Sequence, residues 1–380
     1  MTVTIFFPGF GYNIIDCNVI QRQPWNYLLH IAEHLVTNGH KVRIYFHDTK
    51  PQKALVKVLA DKNLDICSSL RFSQKEFVIV PFAVGYYLKL NKKINCLVNE
   101  LNCRVYIALT TYIDNIKDIL TNLIIIKLTK TGKTITKTSA ENIILRIWCN
   151  KSLGNIAGII TPSHDFINFL YNLGMNREIS IVEFIPPVNA PSCCNSNEDV
   201  EEKDKITYFG PFDEERGTVS LINAYFKLVK SWDLNVMLNL LIREDGYPFF
   251  SSIAKKMKER NVMVKTRFDN KRMLFNELCN SKLIVLPYRV IPSTIPISYL
   301  EALFLDKPLV IATSIPGFRE HVHSYLNKTL PGTYRYDALA EYIAFLLSST
   351  KNMKYLKMKQ SNYTRSLKDR IQRQSILLSE

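Results

Sequence analysis

The chain has 380 residues, of which 47% are hydrophobic and 22% are charged. This length predicts two domains of ordinary size, and the composition is that of a folded globular protein rather than a disordered one. No apolar run reaches the roughly 18 residues that a transmembrane helix needs, and no basic segment precedes the first apolar stretch as in a secretory signal. The formal net charge of +15 favours partners that carry negative charge.

The first half of the chain alternates strand and helix patterns. Val3–Phe7 is an apolar strand that runs into a loop with Gly9 and Gly11, residues that let a backbone approach a ligand closely. Trp25–Val36 has the apolar spacing of an amphipathic helix, and Lys41–Phe46 that of the next strand. Further core strands are predicted at residues 77–82, 104–109, 156–163 and 180–187. This order predicts a Rossmann-like unit, but the full dinucleotide fingerprint is absent, so NAD is not expected.

A polar, acidic segment separates the two halves. Residues 191–204 are rich in Ser, Asn and Glu, a composition typical of an exposed linker, so we predict an N-terminal domain over 1–190 and a C-terminal domain over 205–380. The second half again alternates strands and helices, which predicts a parallel sheet with helices on both faces. Its predicted elements cover residues 205–209, 218–229, 235–242, 249–260, 261–266, 271–280, 283–287, 298–305 and 309–313. An amphipathic helix at 336–347 and a basic helix that ends near residue 375 follow.

One concentrated part of the basic excess is Lys127–Lys137, which contains four lysines and no acidic residue. Two interpretations stay open for this run: a solvated loop, or a patch that meets anionic lipid head groups or a phosphorylated acceptor. Nucleic acid is not predicted as a partner, because aromatic residues do not interleave with the lysines as a stacking surface requires.

The eight cysteines form no Cys-x-x-Cys pair, and the histidines form no cluster with metal-ligand spacing. We therefore predict no metal site. Cys103 and Cys279 lie beside apolar segments, which predicts small buried side chains. Together with the missing secretory signal, this pattern predicts a protein of the reducing cytoplasm.

Residues 283–320 combine several features of a ligand site. An apolar strand ends in a proline-containing loop, a short helix with the carboxylate of Glu301 follows, and a second strand comes next. In an open α/β sheet, ligands bind at the carboxyl ends of the strands, and a helix N-terminus at that edge suits a phosphate. A carboxylate one turn into the helix can accept hydrogen bonds from sugar hydroxyls. These features predict a pocket for a nucleotide or a sugar phosphate.

The same segment resembles the donor site of retaining GT-B glycosyltransferases of the family-4 type. That site has a glutamate, seven residues, a second glutamate followed by alanine, and then a Gly-x-Pro-Val strand. Leu300-Glu301-Ala302-Leu303 and Asp306-Lys307-Pro308-Leu309-Val310 match its second half. The first glutamate falls on Ser293, and the glycine three residues later falls on Pro296.

A second segment, Lys205–Phe226, supports this resemblance. The family has a strand, Gly-Arg-Leu, Glu-Lys-Gly and a helix at this spacing, and its arginine and lysine hold the donor diphosphate. Here Gly210 ends the strand, Pro211 stands at the arginine position and Arg216 at the lysine position. Arginine keeps the positive charge of lysine and adds a two-pronged donor for phosphate.

The resemblance implies a GT-B fold, in which two Rossmann-like domains face each other across a cleft and the last helix packs back on the N-terminal domain. It implies metal-independent, retaining transfer of a hexose from a nucleotide-diphosphate sugar to a glycan, lipid or protein acceptor, without a cofactor. Glu301 would bind the donor ribose, and Arg216 would bind the diphosphate. The other donor contacts implied are Gly9, Gly11, Gly210, Arg267, Phe268, Ser293, Thr294, Ile295, Pro296 and Ile297.

The departures at Pro211, Ser293 and Pro296 leave a second function open. The chain could be a GT-B scaffold or binding protein that recognises a nucleotide or glycan without turnover. Hydrolysis of nucleotide sugars by the purified protein would separate the two hypotheses.

Overall fold

The computed structural model describes two compact units. The first contains Met1–Pro187 and the end of the chain from Arg373, and the second contains most of Val188–Gln372. The predicted linker at 191–204 and the lysine run at 127–137 lie outside the described residues. The described residues are 1–9, 12–21, 25–67, 76–82, 97, 100, 102–109, 156–162, 167–168, 171, 175, 178–188, 190, 205–212, 216–232, 234–242, 261–266, 271–288, 295–311 and 336–374.

The first unit is built on a parallel sheet in the strand order β5-β3-β1-β6-β7-β8-β9. The order reverses between β1 and β6, which makes their carboxyl ends the switch point where open α/β sheets bind ligands. The strands are β1 (Thr2–Pro8), β3 (Lys41–His47), β5 (Leu64–Cys67), β6 (Phe77–Phe82), β7 (Arg104–Leu109), β8 (Gly158–Thr161) and β9 (Ser180–Glu183). Two short strands, β2 (Ile14–Ile15) and β4 (Lys50–Pro51), pair beside this sheet.

Helices α1 (Trp25–Thr37) and α2 (Lys53–Asp61) belong to this unit. The predicted apolar face of α1 is confirmed, because its Leu28, Ala32 and Leu35 are fully buried. The sequence patterns considered above did not predict α2 or β5. Both are short, and α2 buries only Leu55 and Leu59, so the periodic signal is weak.

The second unit contains a parallel sheet in the order β12-β11-β10-β13-β14. Its switch point lies between β10 and β13. The strands are β10 (Lys205–Gly210), β11 (Met237–Ile242), β12 (Val262–Lys265), β13 (Leu283–Leu286) and β14 (Leu309–Ile311). The helices are α3 (Thr218–Trp232), α4 (Lys271–Cys279), α5 (Ile297–Phe304), α6 (Tyr336–Leu347) and α7 (Thr350–Arg373). These elements confirm the predicted alternation, with ends shifted by a few residues, while the helix predicted at 249–260 lies outside the described residues.

Glutamine side chains anchor the last helix and the residue after it. In the second unit, the buried amide of Gln360 accepts a hydrogen bond from the Leu309 N–H at 3.0 Å and donates one to the Lys307 carbonyl at 2.7 Å. In the first unit, the Gln374 amide accepts from the Ile185 N–H at 2.9 Å and donates to the Ile185 carbonyl at 2.8 Å. Each amide therefore satisfies a backbone donor and a backbone acceptor at once.

The cysteine predictions have mixed outcomes. Cys103 is buried, as predicted. The prediction for Cys279 is wrong: its side chain is only partly buried and takes part in a disulfide. Among the described helices, none is both long enough and apolar enough to cross a membrane.

A buried ion pair ties the first unit together near the amino ends of its central strands. Glu76, which precedes β6, is 3% exposed and receives a 2.6 Å hydrogen bond from the Thr4 hydroxyl on β1. The Arg43 guanidinium on β3 forms an ion pair with the same carboxylate and also donates to the Thr4 hydroxyl at 3.2 Å. The neighbouring strands β3, β1 and β6 are thus linked by one polar cluster at the amino-terminal edge of the sheet.

We predict that Glu76→Ala destabilises the first unit strongly. Removing one partner of a buried pair leaves the other charge uncompensated, which typically costs about 3–5 kcal/mol of unfolding free energy. Chemical denaturation would measure the change. Asp65→Ala is the matched control, because the Asp65–Lys41 pair is 60% and 66% exposed and should contribute little. Equal effects of the two substitutions would contradict the prediction.

Candidate functional site

The candidate site lies at the switch point of the second unit, at the carboxyl ends of β10 and β13. These strands pair in parallel, with Ile206 opposite Leu283 and Thr207 opposite Ile284. Arg216 follows β10 and precedes α3, while Tyr288 follows β13 and α5 begins at Ile297. Residues distant in sequence therefore come to the same edge of the sheet, where such folds bind ligands.

The geometry at the end of β10 explains the glycine at position 210. Gly210 has φ +141°, and a Cβ atom there would lie 3.0 Å from the Tyr208 hydroxyl oxygen. That hydroxyl donates a 2.5 Å hydrogen bond to the Pro211 carbonyl, which also accepts one from the Thr218 hydroxyl at 3.4 Å. Pro211 thus contributes its carbonyl to the turn. The side chain of Pro211 has no charge, so another residue must supply any positive charge that this loop offers to a ligand.

Arg216 supplies a cation at this turn and packs on Tyr288. The guanidinium carbon lies 5.8 Å from the centre of the Tyr288 ring, within the range of a cation–π interaction. Tyr288 is 2% exposed, and its hydroxyl forms a 2.7 Å hydrogen bond with the hydroxyl of Ser298 in the first turn of α5. Tyr288 therefore connects the arginine to the helix that carries Glu301.

The electrostatics of Tyr288 show which charges surround it. Burial is the main cause that raises the pKa of the Tyr288 phenol to about 12; the charge of Glu301 acts in the same direction, while Arg216 and the Ser298 hydrogen bond oppose the shift. The phenol is therefore neutral at physiological pH. Arg216 and Glu301 both act on this phenol, so the two residues predicted from sequence lie within electrostatic reach of one point.

Glu301 is a buried carboxylate paired with an exposed lysine. It is 7% exposed, and its Oε1 atom accepts a 3.1 Å hydrogen bond from Lys271 Nζ. The Lys271 side chain is 66% exposed and begins α4. Burying a carboxylate is costly unless it is paired, and here the partner is a mobile type of side chain in contact with solvent.

The N-terminus of α5 begins at this edge with backbone N–H groups that the helix itself does not pair. Pro296 precedes the helix in an extended conformation, and its carbonyl accepts from the N–H groups of Tyr299 at 3.1 Å and Leu300 at 3.3 Å. Proline suits this position because its missing N–H belongs to no helical hydrogen bond. The N–H groups of Ile297 and Ser298 have no intrahelical acceptor and form the positive end of the helix dipole.

The structure brings together part of the predicted site. Arg216, Glu301 and the residues around the start of α5 surround Tyr288, as described above. Gly210 lies at the base of the same turn, and Ile295 is buried at 1% exposure. Five predicted contacts lie outside the described residues: Gly11, Arg267, Phe268, Ser293 and Thr294.

Gly9 has a structural explanation in the first unit. Its N–H donates to the His47 carbonyl at 3.0 Å, and its carbonyl accepts from the Tyr12 N–H at 2.8 Å. A Cβ atom there would lie 2.9 Å from the carbonyl oxygens of Asp48 and Tyr12. Close backbone packing therefore requires glycine at this position, and the predicted donor contact of Gly9 stays a prediction.

The motif comparison did not identify Tyr288, Ser298 or Lys271. Tyr288 carried one usable signal, since it is a polar aromatic residue placed just after an apolar strand at the ligand-binding edge. Ser298 and Lys271 are ordinary polar residues in the first turns of helices, and only their neighbours in space distinguish them.

Residues 195–365 match the family model of the glycosyl transferases group 1. No curated protein sequence matches the chain significantly.

Solved structures cover nearly the whole chain at low identity. A glycosyltransferase from Rickettsia africae ESF-5 is 13% identical, with a TM-score of 0.65 over 97% of this chain and 93% of that one. Sucrose-phosphate synthase from Thermosynechococcus elongatus is 12% identical, with a TM-score of 0.61 over 96% and 94%. Anabaena HepE in complex with UDP and glucose is 11% identical, with a TM-score of 0.57 over 98% and 99%. The predicted fold class, α/β of the GT-B type with two Rossmann-like domains, is confirmed.

We predict that Tyr288→Phe makes stability less sensitive to alkaline pH. The folded pKa of about 12 lies above the ordinary value of 10.0, so the folded state keeps a proton that the unfolded state loses. Stability therefore falls between these pH values, by up to about 1.4 kcal/mol per pH unit, and the phenylalanine variant lacks this contribution.

Thermal melts at a series of pH values would measure the slope. Ser298→Ala is the control, since it removes the same hydrogen bond but keeps the phenol, and should retain the slope of the unmodified protein. An unchanged slope in Tyr288→Phe would show that this phenol does not titrate as expected.

Proposed function

We infer the function of this chain from its similarity to the glycosyl transferases group 1, whose family model matches residues 195–365. We propose that it transfers a hexose from a nucleotide-diphosphate sugar to a glycan, lipid or protein acceptor, with retention at the anomeric carbon. The observation that carries this proposal is the convergence of Arg216, Glu301 and the α5 N-terminus around Tyr288. A side chain that can bind phosphate, a side chain that can bind sugar hydroxyls and the positive end of a helix dipole thereby lie at one edge of the sheet.

Arg216 is proposed to stabilise the departing nucleotide diphosphate. Negative charge grows on the diphosphate as the sugar leaves, and a guanidinium can donate two parallel hydrogen bonds to phosphate oxygens. The ring of Tyr288 limits where the guanidinium can move, so its position is largely set before the donor binds. The N–H groups of Ile297 and Ser298 add a second, uncharged source of stabilisation.

Glu301 is proposed to bind the ribose of the donor. An ionised carboxylate accepts several hydrogen bonds, and adjacent ribose hydroxyls offer two donors. Lys271 donates a 3.1 Å hydrogen bond to one carboxylate oxygen and so orients the group, and an ionised carboxylate has further acceptor positions for ribose hydroxyls. Because the side chain of Lys271 is exposed, it can shift without disturbing the core of the unit.

The base of the donor, the role of a metal and the stereochemistry are proposed on separate grounds. HepE was solved with UDP-glucose and with UDP and glucose, so we propose uridine donors as the first class to test. Basic side chains and a helix dipole can stabilise a leaving diphosphate without a cation, and we propose that no divalent ion is required. Retention is proposed to occur by front-face attack, as the resemblance to family-4 enzymes implies.

A second candidate function is nucleotide or glycan binding without turnover. Pro211 favours it, because the family places an arginine there and Pro211 contributes only a carbonyl to its own turn. Of the two basic positions in the family's diphosphate site, only that of Arg216 is basic in this chain. Such a site could bind a diphosphate but would stabilise it poorly as it leaves the sugar.

A panel of UDP-, GDP- and ADP-sugars tests the proposed function. We expect one base to raise the melting temperature, since a ligand at about 100 times its Kd stabilises the folded state by roughly 2.7 kcal/mol. We also expect slow release of the nucleotide diphosphate, measured by chromatography, and its persistence in EDTA. Stabilisation without release would support the binding protein instead. Loss of release in EDTA with recovery in manganese would overturn metal independence.

We predict different kinetic defects for Glu301→Ala and Arg216→Ala. Ribose contacts exist in both the ground and transition states, so the loss of Glu301 should mainly raise KM. The donor should bind less favourably by about 1.5–3 kcal/mol. Arg216 acts mainly as charge develops, so its loss should lower kcat by a factor on the order of 10²–10³. Steady-state kinetics with varied donor concentration would measure both.

Matched controls separate these roles from folding effects. Lys271→Met breaks the same ion pair as Glu301→Ala but keeps the carboxylate, so it should change KM much less. Arg216→Lys keeps the charge and should recover part of kcat. Equal KM values for Glu301→Ala and Lys271→Met would refute the ribose assignment, and an unchanged kcat in Arg216→Ala would refute the diphosphate assignment.

A further inference from the structure

Helix α7 carries a concentration of positive charge on the second unit. Its 24 residues include eight lysines and arginines and a single acidic residue, Asp369. Most of the basic side chains are exposed: Lys351, Lys354, Lys357, Arg365, Lys368, Arg370 and Arg373. This one helix therefore contributes a large share of the +15 charge of the chain.

Large apolar side chains are exposed among these basic residues. Tyr355 is 47% exposed and Met358 is 51% exposed, and they stand three residues apart on the same side of α7. Phe345, near the end of α6, is 57% exposed. Its carbonyl accepts a 2.8 Å hydrogen bond from the Asn352 amide, so the end of α6 lies against the first turns of α7.

The packing of α7 fixes which side faces outward. Leu356, Gln360, Thr364 and Leu367 are buried, and the Gln360 amide is bonded to the backbone on both sides of Pro308. The opposite side of the helix presents Lys351, Lys354, Tyr355, Met358 and Arg365. We call these five residues, with Phe345, the α7 surface.

We propose that the α7 surface binds membranes that contain anionic lipids. Lysine and arginine heads can meet lipid phosphates while Phe345, Tyr355 and Met358 enter the interfacial layer, the arrangement that surface-bound amphipathic helices use. Lys359 lies with its ammonium 5.5 Å from the Tyr355 ring centre, so a cation sits at the level of the aromatic side chain. A nucleic acid would use the charges but has no comparable use for Phe345 and Met358. The proposal is independent of the donor site.

Vesicle sedimentation with the full-length protein tests this proposal. We expect binding to an equimolar mixture of phosphatidylglycerol and phosphatidylcholine, weakening with added salt, and no binding to phosphatidylcholine alone. The triple variant Lys351→Gln, Lys354→Gln, Arg365→Gln should bind roughly a hundredfold more weakly, since each basic residue near such a surface contributes about fivefold.

A matched control removes the same charge elsewhere. Lys50→Gln, Lys53→Gln and Lys57→Gln change exposed lysines on the first unit and should leave vesicle binding nearly unchanged. If both triple variants lose affinity equally, net charge rather than the α7 surface drives binding, and the proposal is wrong. Full binding by the α7 variant, or none by the unmodified protein, would also overturn it.

Two further measurements address the apolar part and the location. Tyr355→Ser with Met358→Ser should weaken binding while keeping its salt dependence, because no charge is removed. Hydrogen exchange with vesicles present should slow at the exposed turns of α7. Melting temperatures near that of the unmodified protein would show that the variants are folded. Protection confined to other parts of the chain would refute the proposal.

Discussion

The parallel pairing of β10 with β13 is the constraint on which the candidate site depends. Parallel strands end at the same edge, so the residues that follow them become neighbours even when the chain between them is long. Arg216 and Tyr288 meet for this reason, with the guanidinium 5.8 Å from the ring centre. At this switch point α3 and α5 also begin, and the start of α5 adds a dipole and backbone donors to the same place.

The site contains polar groups that a core would ordinarily exclude. Tyr288 is buried but satisfied by Ser298, and Glu301 is buried but paired with Lys271. Both arrangements avoid the full cost of an unpaired polar group and still leave a neutral phenol, an anion and a cation close together. The Arg43–Glu76 pair in the first unit shows the contrasting case, in which a buried ion pair lies at the amino ends of the strands, away from the ligand-binding edge.

The two sides of α7 illustrate how one helix can serve different purposes. Its buried side is specified by a few apolar residues and by Gln360, whose amide replaces missing backbone partners near β14. That anchoring leaves the outward side under no packing constraint, so its composition can follow other requirements. Exposed lysines beside exposed Phe345, Tyr355 and Met358 lie outside the buried side of α7, and exposed apolar groups of this kind often mark an interaction surface.

The sequence alone determined the alternation of strands and helices, the fold class and the two charged residues of the candidate site. Periodic apolar spacing is a local feature and indicates the alternation directly, while Glu301 and Arg216 were assigned through the resemblance of their segments to retaining GT-B glycosyltransferases. Tyr288, Ser298 and Lys271 became recognisable only in the tertiary structure, because their roles come from contacts between segments far apart in the chain. The same reason explains why the disulfide of Cys279 and the Arg43–Glu76 pair were not predicted. Local pattern specifies which side of an element is apolar, while the partner of a polar side chain is decided by strand order and packing.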